Sequence, residues 1–124
     1  SMGRANWAQE IQVSASTLIK VSTEADLLQI GMLKVNPASA KFMLVRYVDL
    51  KPGDWVVQNA GNSAVGRYLI QLAKAKGVHS INIVRREGLE QGLIAIGADL
   101  VLVEGEDLPE KVRAELGDAN ILGD

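Results

Sequence analysis

The stretch Ala60-Gly61-Asn62-Ser63-Ala64-Val65-Gly66 combines small residues and two glycines at a spacing suited to holding an anion on exposed backbone. It follows an apolar run, Val56-Val57-Gln58-Asn59, and precedes a segment of helical periodicity, so it falls where a strand hands over to a helix. A helix starting there aims its free N–H groups outward, which is how a dinucleotide pyrophosphate is held. A second apolar run, Ser80-Ile81-Asn82-Ile83-Val84, ends in Arg85-Arg86, roughly 20 residues past the turn. An NAD-preferring site places a carboxylate there for the ribose 2′-hydroxyl. Arginine favours a 2′-phosphate instead, so the spacing points to NADPH.

The turn, Gly61-x-Ser63-x-x-Gly66, departs from G-x-G-x-x-G because serine occupies the second glycine position. That serine either widens the gap to the pyrophosphate or offers it a hydroxyl. A turn needed only for packing would use the same two glycines, and arginines after a buried strand are often no more than solvated charges. The sequence context of strand, turn, helix, strand and arginine pair favours the ligand site. Two other chemistries are near misses. A P-loop needs lysine and a hydroxyl after the last glycine, where Arg67 and Tyr68 stand; a nucleophile elbow needs glycine where Val65 stands. Ser63 is therefore expected to be a ligand contact. Asn36 precedes Pro37 and fits a helix cap, and Tyr47 and Tyr68 fall in helical patterns as packing residues. His79 is the only histidine and has no partner at metal-ligand spacing, so no metal site is expected.

These groups need a scaffold, and the chain alternates strand and helix from Trp55 onward, the pattern of parallel crossovers. Val65, Leu69, Leu72 and Ala73 mark a helix that Gly77 ends. Gly88 to Ile96 predicts a weaker helix, Leu100 to Val103 a third strand, and Asp107 the cap of a helix carrying Val112 and Leu116. Asn120 to Asp124 would begin a fourth strand. Upstream, Asn36 to about Val48 reads as a helix with Ala40, Leu44, Tyr47 and Val48 on its apolar side. Thr23 to Asp26 resembles a capping box opening a short helix through Leu27, Leu28 and Met32, and alternation around Trp7, Ile11 and Val13 predicts a half-buried strand.

Length and composition set outer bounds. The chain has 124 residues, 48% of them hydrophobic, with a net charge of −2 and no cysteine. That suits one packed domain, excludes disulfides and thiolate chemistry, and leaves no basic face for nucleic acid. No apolar run reaches a membrane-spanning length and no signal-peptide pattern is present, so the expectation is a soluble protein with no membrane partner, cytoplasmic or, in a eukaryote, mitochondrial. Ser1-Met2 reads as an expression remnant. A doubly wound sheet has six strands, of which this sequence supplies three and a start, leaving the first strand with a long apolar edge. The expectation is a homo-oligomer, a swapped arrangement, or a piece of a longer enzyme.

Together these residues resemble the medium-chain dehydrogenase/reductase superfamily, most closely its NADPH-dependent 2-enoyl thioester reductase branch. The resemblance rests on Val35-Asn36-Pro37-Ala38-Ser39-Ala40, Leu50-Lys51-Pro52-Gly53-Asp54, Gln58 through Gly66, and Ile81-Asn82-Ile83-Val84-Arg85-Arg86. It implies an α/β fold: a partial doubly wound (Rossmann) parallel sheet, first half only, with a short N-terminal strand and connector left from a catalytic domain. Residues 1–34 would be that remnant and residues 35–124 the first half of the NADP-binding domain. It implies further that Asn62, Ser63, Ala64 and Val65, between Gly61 and Gly66, hold the pyrophosphate. Arg85, Arg86 and Glu87 would surround the 2′-phosphate, and Asn36 would contact the cofactor near its reactive end. The family usually has glycine where Ala64 stands, which implies a tighter turn or weaker binding. The family's tyrosine proton donor lies in the catalytic domain, so no catalytic residue is assigned to this chain, and an intact parent would reduce an enoyl thioester. A quinone or alkene reductase parent is the alternative within the superfamily. A non-catalytic nucleotide-binding or interaction module is the alternative outside it.

Overall fold

The computed structural model describes residues 7–117, and the chain divides into two compact units between Gly31 and Met32. In the first unit a 3-10 turn, Ala15–Thr17, precedes a short helix, α1, Leu27–Gly31. The strand expected around Trp7, Ile11 and Val13 does not form, and all three side chains are exposed. An alternating segment becomes a strand only when a neighbour completes its ladder and covers its apolar face, and no neighbour is present among the described residues of this unit. The helix cap also falls later than expected. Asp26 Oδ1 accepts from the Gln29 N–H at 3.0 Å, so the cap is Asp26 rather than Thr23.

The second unit opens with α2, Asn36–Val45, in which Pro37 sits in the first turn and Ala40 and Leu44 are buried. Two expectations change here. Val35 occupies the cap position and Asn36 is already helical, while Tyr47 and Val48 lie beyond the helix and are exposed. The helix stops at Val45, so helical periodicity no longer directs those two side chains inward. Next come β1 (Trp55–Gln58), α3 (Ala64–Ala75), β2 (His79–Val84), α4 (Glu90–Ala95), β3 (Leu100–Val103) and α5 (Leu108–Leu116). The strands form a parallel sheet in the order β1-β2-β3, with Gln58 opposite Asn82 and Asn82 opposite Val101. This is the first half of a doubly wound sheet, in which chain order and spatial order run together outward from the centre.

Side chains alternate along each strand, so Val56, Gln58, Ser80, Asn82, Val84, Val101 and Val103 share one face. Two apolar clusters cover that face. In one, Leu69 and Ala73 of α3 meet Ala40 and Leu44 of α2, with Leu50, Val78 and Val56; in the other, Ile70 of α3 meets Leu93 of α4, Val84, Ala98 and Val101. The amphipathic stripe of α3 therefore joins both clusters, and Gly77 ends that helix at φ +73° with its N–H on the Lys74 carbonyl. The Asp107 side chain makes no capping bond to α5; its carboxylate pairs with Lys111 Nζ at 2.8 Å, a helix-surface ion pair that competes for the same oxygens. The expected fourth strand, Asn120 to Asp124, lies outside the described residues.

Candidate functional site

The turn between β1 and α3 is built by close approach. Gly61 donates its N–H to the Ile83 carbonyl at 3.2 Å, and a Cβ there would lie 2.8 Å from Asn82 Cβ. A Cβ on Gly66 would lie 2.7 Å from the Gly61 carbonyl oxygen and 2.9 Å from that of Ala60. Both positions therefore demand glycine: one lets the turn lie on β2, and the other lets the first turn of α3 fold back on the loop. Ala60 takes φ +48°, the left-handed kink that turns the chain out of the strand.

Ser63 caps α3: its Oγ accepts from the Gly66 N–H at 3.1 Å, and its carbonyl accepts from the Arg67 N–H at 3.0 Å. The N–H groups of Ala64 and Val65 have no acceptor among the described residues and lie at the positive end of the helix dipole. The serine oxygen is used as an acceptor while its proton stays free to donate, so capping and ligand contact are compatible.

Beside this helix end lies a cleft of about 410 Å³, lined by Ala60, Asn62, Ser63, Arg85, Arg86 and Leu89. The parallel crossover produces this juxtaposition. β1 and β2 end side by side at their carboxyl ends, so the turn after one faces the arginines after the other. Arg85 and Arg86 are exposed and have no carboxylate partner among the described residues. A cleft with free guanidinium groups on one side and a helix amino end on the other suits a ligand with phosphates at both places.

Of the residues expected from sequence, Asn62, Ser63, Arg85 and Arg86 line one cleft, with Gly61, Ala64, Val65 and Gly66 forming the turn and helix end beside it. Asn36, half-buried at the start of α2, and Glu87, exposed after the arginines, are not among the lining residues. Three participants were not foreseen. Leu89 gives the cleft an apolar wall, and Arg67, exposed on α3, directs its Nε to the Asn62 carbonyl at 3.5 Å. The third is an amide pair, half-buried Gln58 and fully buried Asn82. Gln58 Nε2 donates to the Gly66 carbonyl at 3.0 Å and to Asn82 Oδ1 at 2.6 Å, while Asn82 Nδ2 reaches Ser80 Oγ at 3.1 Å and the Leu100 carbonyl at 3.2 Å. Two amides within otherwise apolar strands, opposite one another once the strands pair in parallel, are the signal that could have found it.

His79 lies at the other end of the sheet. Its Nδ1 is 2.9 Å from Asp99 Oδ1, its ring stacks on Trp55 at 4.7 Å, and no group of metal-binding side chains occurs among the described residues. No described helix is long and apolar enough to cross a membrane.

No family-wide sequence profile matches the chain. Individual proteins do. It is 41% identical over 104 residues to the mitochondrial enoyl-[acyl-carrier-protein] reductase of Caenorhabditis elegans, covering 81% of this chain and 30% of that protein. Against the human enzyme of the same name it is 40% identical over 108 residues, covering 84% and 29%. The chain thus spans about three tenths of the relatives it matches. Among solved structures, the mitochondrial 2-enoyl thioester reductase heterodimer of Candida tropicalis superposes with a TM-score of 0.67 at 34% identity, over 73% of this chain and 28% of that one. A mycobacterial protein complexed with NADPH superposes with a TM-score of 0.75 at 28% identity, over 86% of this chain and 34% of that one. A complex of Etr1p with NADP and crotonyl-CoA matches at 0.67 and 34%, over 73% and 28%.

Proposed function

Because this chain belongs to the medium-chain dehydrogenase/reductase superfamily, beside its enoyl thioester reductases, we propose that it binds the adenosine half of NADPH within a reductase of 2-enoyl thioesters. The observation that carries this is the cleft that gathers Asn62 and Ser63 at the α3 amino end with Arg85 and Arg86 beyond β2. In this reading the Ala64 and Val65 N–H groups and the Ser63 hydroxyl hold the pyrophosphate. Gly61 and Gly66 let the backbone approach, and Arg85 and Arg86 pair with the 2′-phosphate. Glu87 adds a contact at the rim and Asn36 one toward the reactive end of the cofactor. The bound nicotinamide would supply a hydride to the thioester's double bond. Residues 1–34 are read as the end of a catalytic domain with its connector, and 35–124 as the first half of the cofactor domain.

The adenosine end can be tested by itself. Calorimetric titration of the 124-residue chain with 2′,5′-ADP and with 5′-AMP should give binding of the first, at least about tenfold tighter than the second. Equal affinities would remove the assignment of the arginines.

A further inference from the structure

Half-buried Gln58 and fully buried Asn82 lie behind the phosphate turn, and each touches a different part of the site. Gln58 closes β1 and sends one amide nitrogen to the Gly66 carbonyl, inside the first turn of α3, and to Asn82 Oδ1. Asn82 is fully buried in β2, three residues before Arg85, and its Cβ sets how closely Gly61 can approach. It is itself fixed by the Leu100 carbonyl of β3 and by Ser80 Oγ. The chain Gly66 carbonyl, Gln58, Asn82, Leu100 carbonyl therefore runs across all three strands and ties the helix amino end to the strand that carries the arginines. Apolar residues would fill these positions without any burial cost for polar groups, as Val56, Val84 and Val101 do on the same face. The amides instead impose a fixed register, because each donor has a particular acceptor.

We propose that Gln58 and Asn82 are positioning residues that fix the pyrophosphate turn and the α3 amino end against the sheet. This rests on the NADPH reading of the cleft and adds to it the source of the preorganisation. Neither side chain lines the cleft between Asn62 and Arg86. Their effect falls on the N–H groups of the turn, which both NADPH and NADH would use, and they leave the guanidinium charge unchanged.

The test is Gln58→Met, which keeps the length of the side chain and removes both donated hydrogen bonds. Ser80→Ala is the control, since Asn82 Nδ2 retains the Leu100 carbonyl. At a temperature where melting curves show wild type and variants folded, NADPH and NADH are titrated against each. The expected result is that Q58M weakens both nucleotides by about tenfold with their ratio preserved, while S80A binds like wild type. Should Q58M not fold, Gln58→Asn, whose shorter amide falls short of the Gly66 carbonyl, carries the same expectation. A variant that melts earlier yet binds both nucleotides with unchanged affinity overturns the proposal and leaves the amide pair a stabiliser only. Wild type failing to bind NADPH would overturn the cleft assignment itself, an outcome distinct from the first.

Discussion

Ser63 caps α3 with an oxygen whose proton, in the proposed reading, also serves the ligand. Its oxygen accepts from Gly66 while its proton is free for a phosphate. Ser63→Ala should cost about 1 kcal/mol of stability, whereas Ser63→Gly should cost only a few tenths, because glycine tolerates a cap position. Both variants lose the hydroxyl, so both should weaken NADPH and NADH alike. Urea unfolding and nucleotide titration on the pair separate capping from binding. Arg85 behaves differently. It is solvent-exposed, so screening limits its contribution, and Arg85→Ala should weaken NADPH by about tenfold without changing NADH. Titration of the two nucleotides against R85A reads this directly, and a parallel loss would assign the residue to folding. The placement of Ser63 and Arg85 at one cleft was legible because each stands at a fixed offset from a turn or strand end. The Gln58–Asn82 pair was not, since a polar residue in an apolar run reads only as an interruption until strand pairing sets it opposite its partner.

At the scale of elements, β1, α3 and β2 were legible from periodicity alone, because the apolar stripe of α3 and the short runs beside it have one way to pack. The N-terminal strand was expected on the same logic and is absent, because alternation specifies a face but does not supply the neighbouring strand. Closure of the turn onto α3 depends on Gly66. A methyl there would meet two carbonyl oxygens at under 3 Å, and Gly66→Ala should cost about 2 kcal/mol or more of stability, measured by chemical denaturation. Helix α5 gives a pH prediction. The hydrogen bond from Lys111 to the Asp107 carboxylate holds that carboxyl below its usual range in the folded state. Its contribution is therefore present above the unfolded value, about 3.9, and is lost as pH falls through the lower folded value. Asp107→Asn should flatten this part of the acid limb of a stability-versus-pH curve, removing at pH 7 a contribution kept small by solvent exposure and converging with wild type at low pH.

At the scale of the whole molecule, the order of the three described strands sets the candidate cleft at the carboxyl ends of β1 and β2. Among the described residues β1 pairs only with β2, and Val57 is 38% exposed. An unpaired apolar edge of this kind favours association. Light scattering across a concentration series should show the chain associating, and a monomer at the highest concentration would contradict that. With no proton donor assigned to its residues, the chain supplied with NADPH and a short enoyl thioester should show no turnover, and measurable turnover would contradict the assignment of acid chemistry to another domain. The measurement that bears most directly on the account is equilibrium titration of the unmodified chain with NADPH and NADH at one ionic strength. The account predicts saturable NADPH binding at least about tenfold tighter than NADH, because only NADPH brings a 2′-phosphate to Arg85 and Arg86. Equal affinity for the two, or no binding of either, would contradict it.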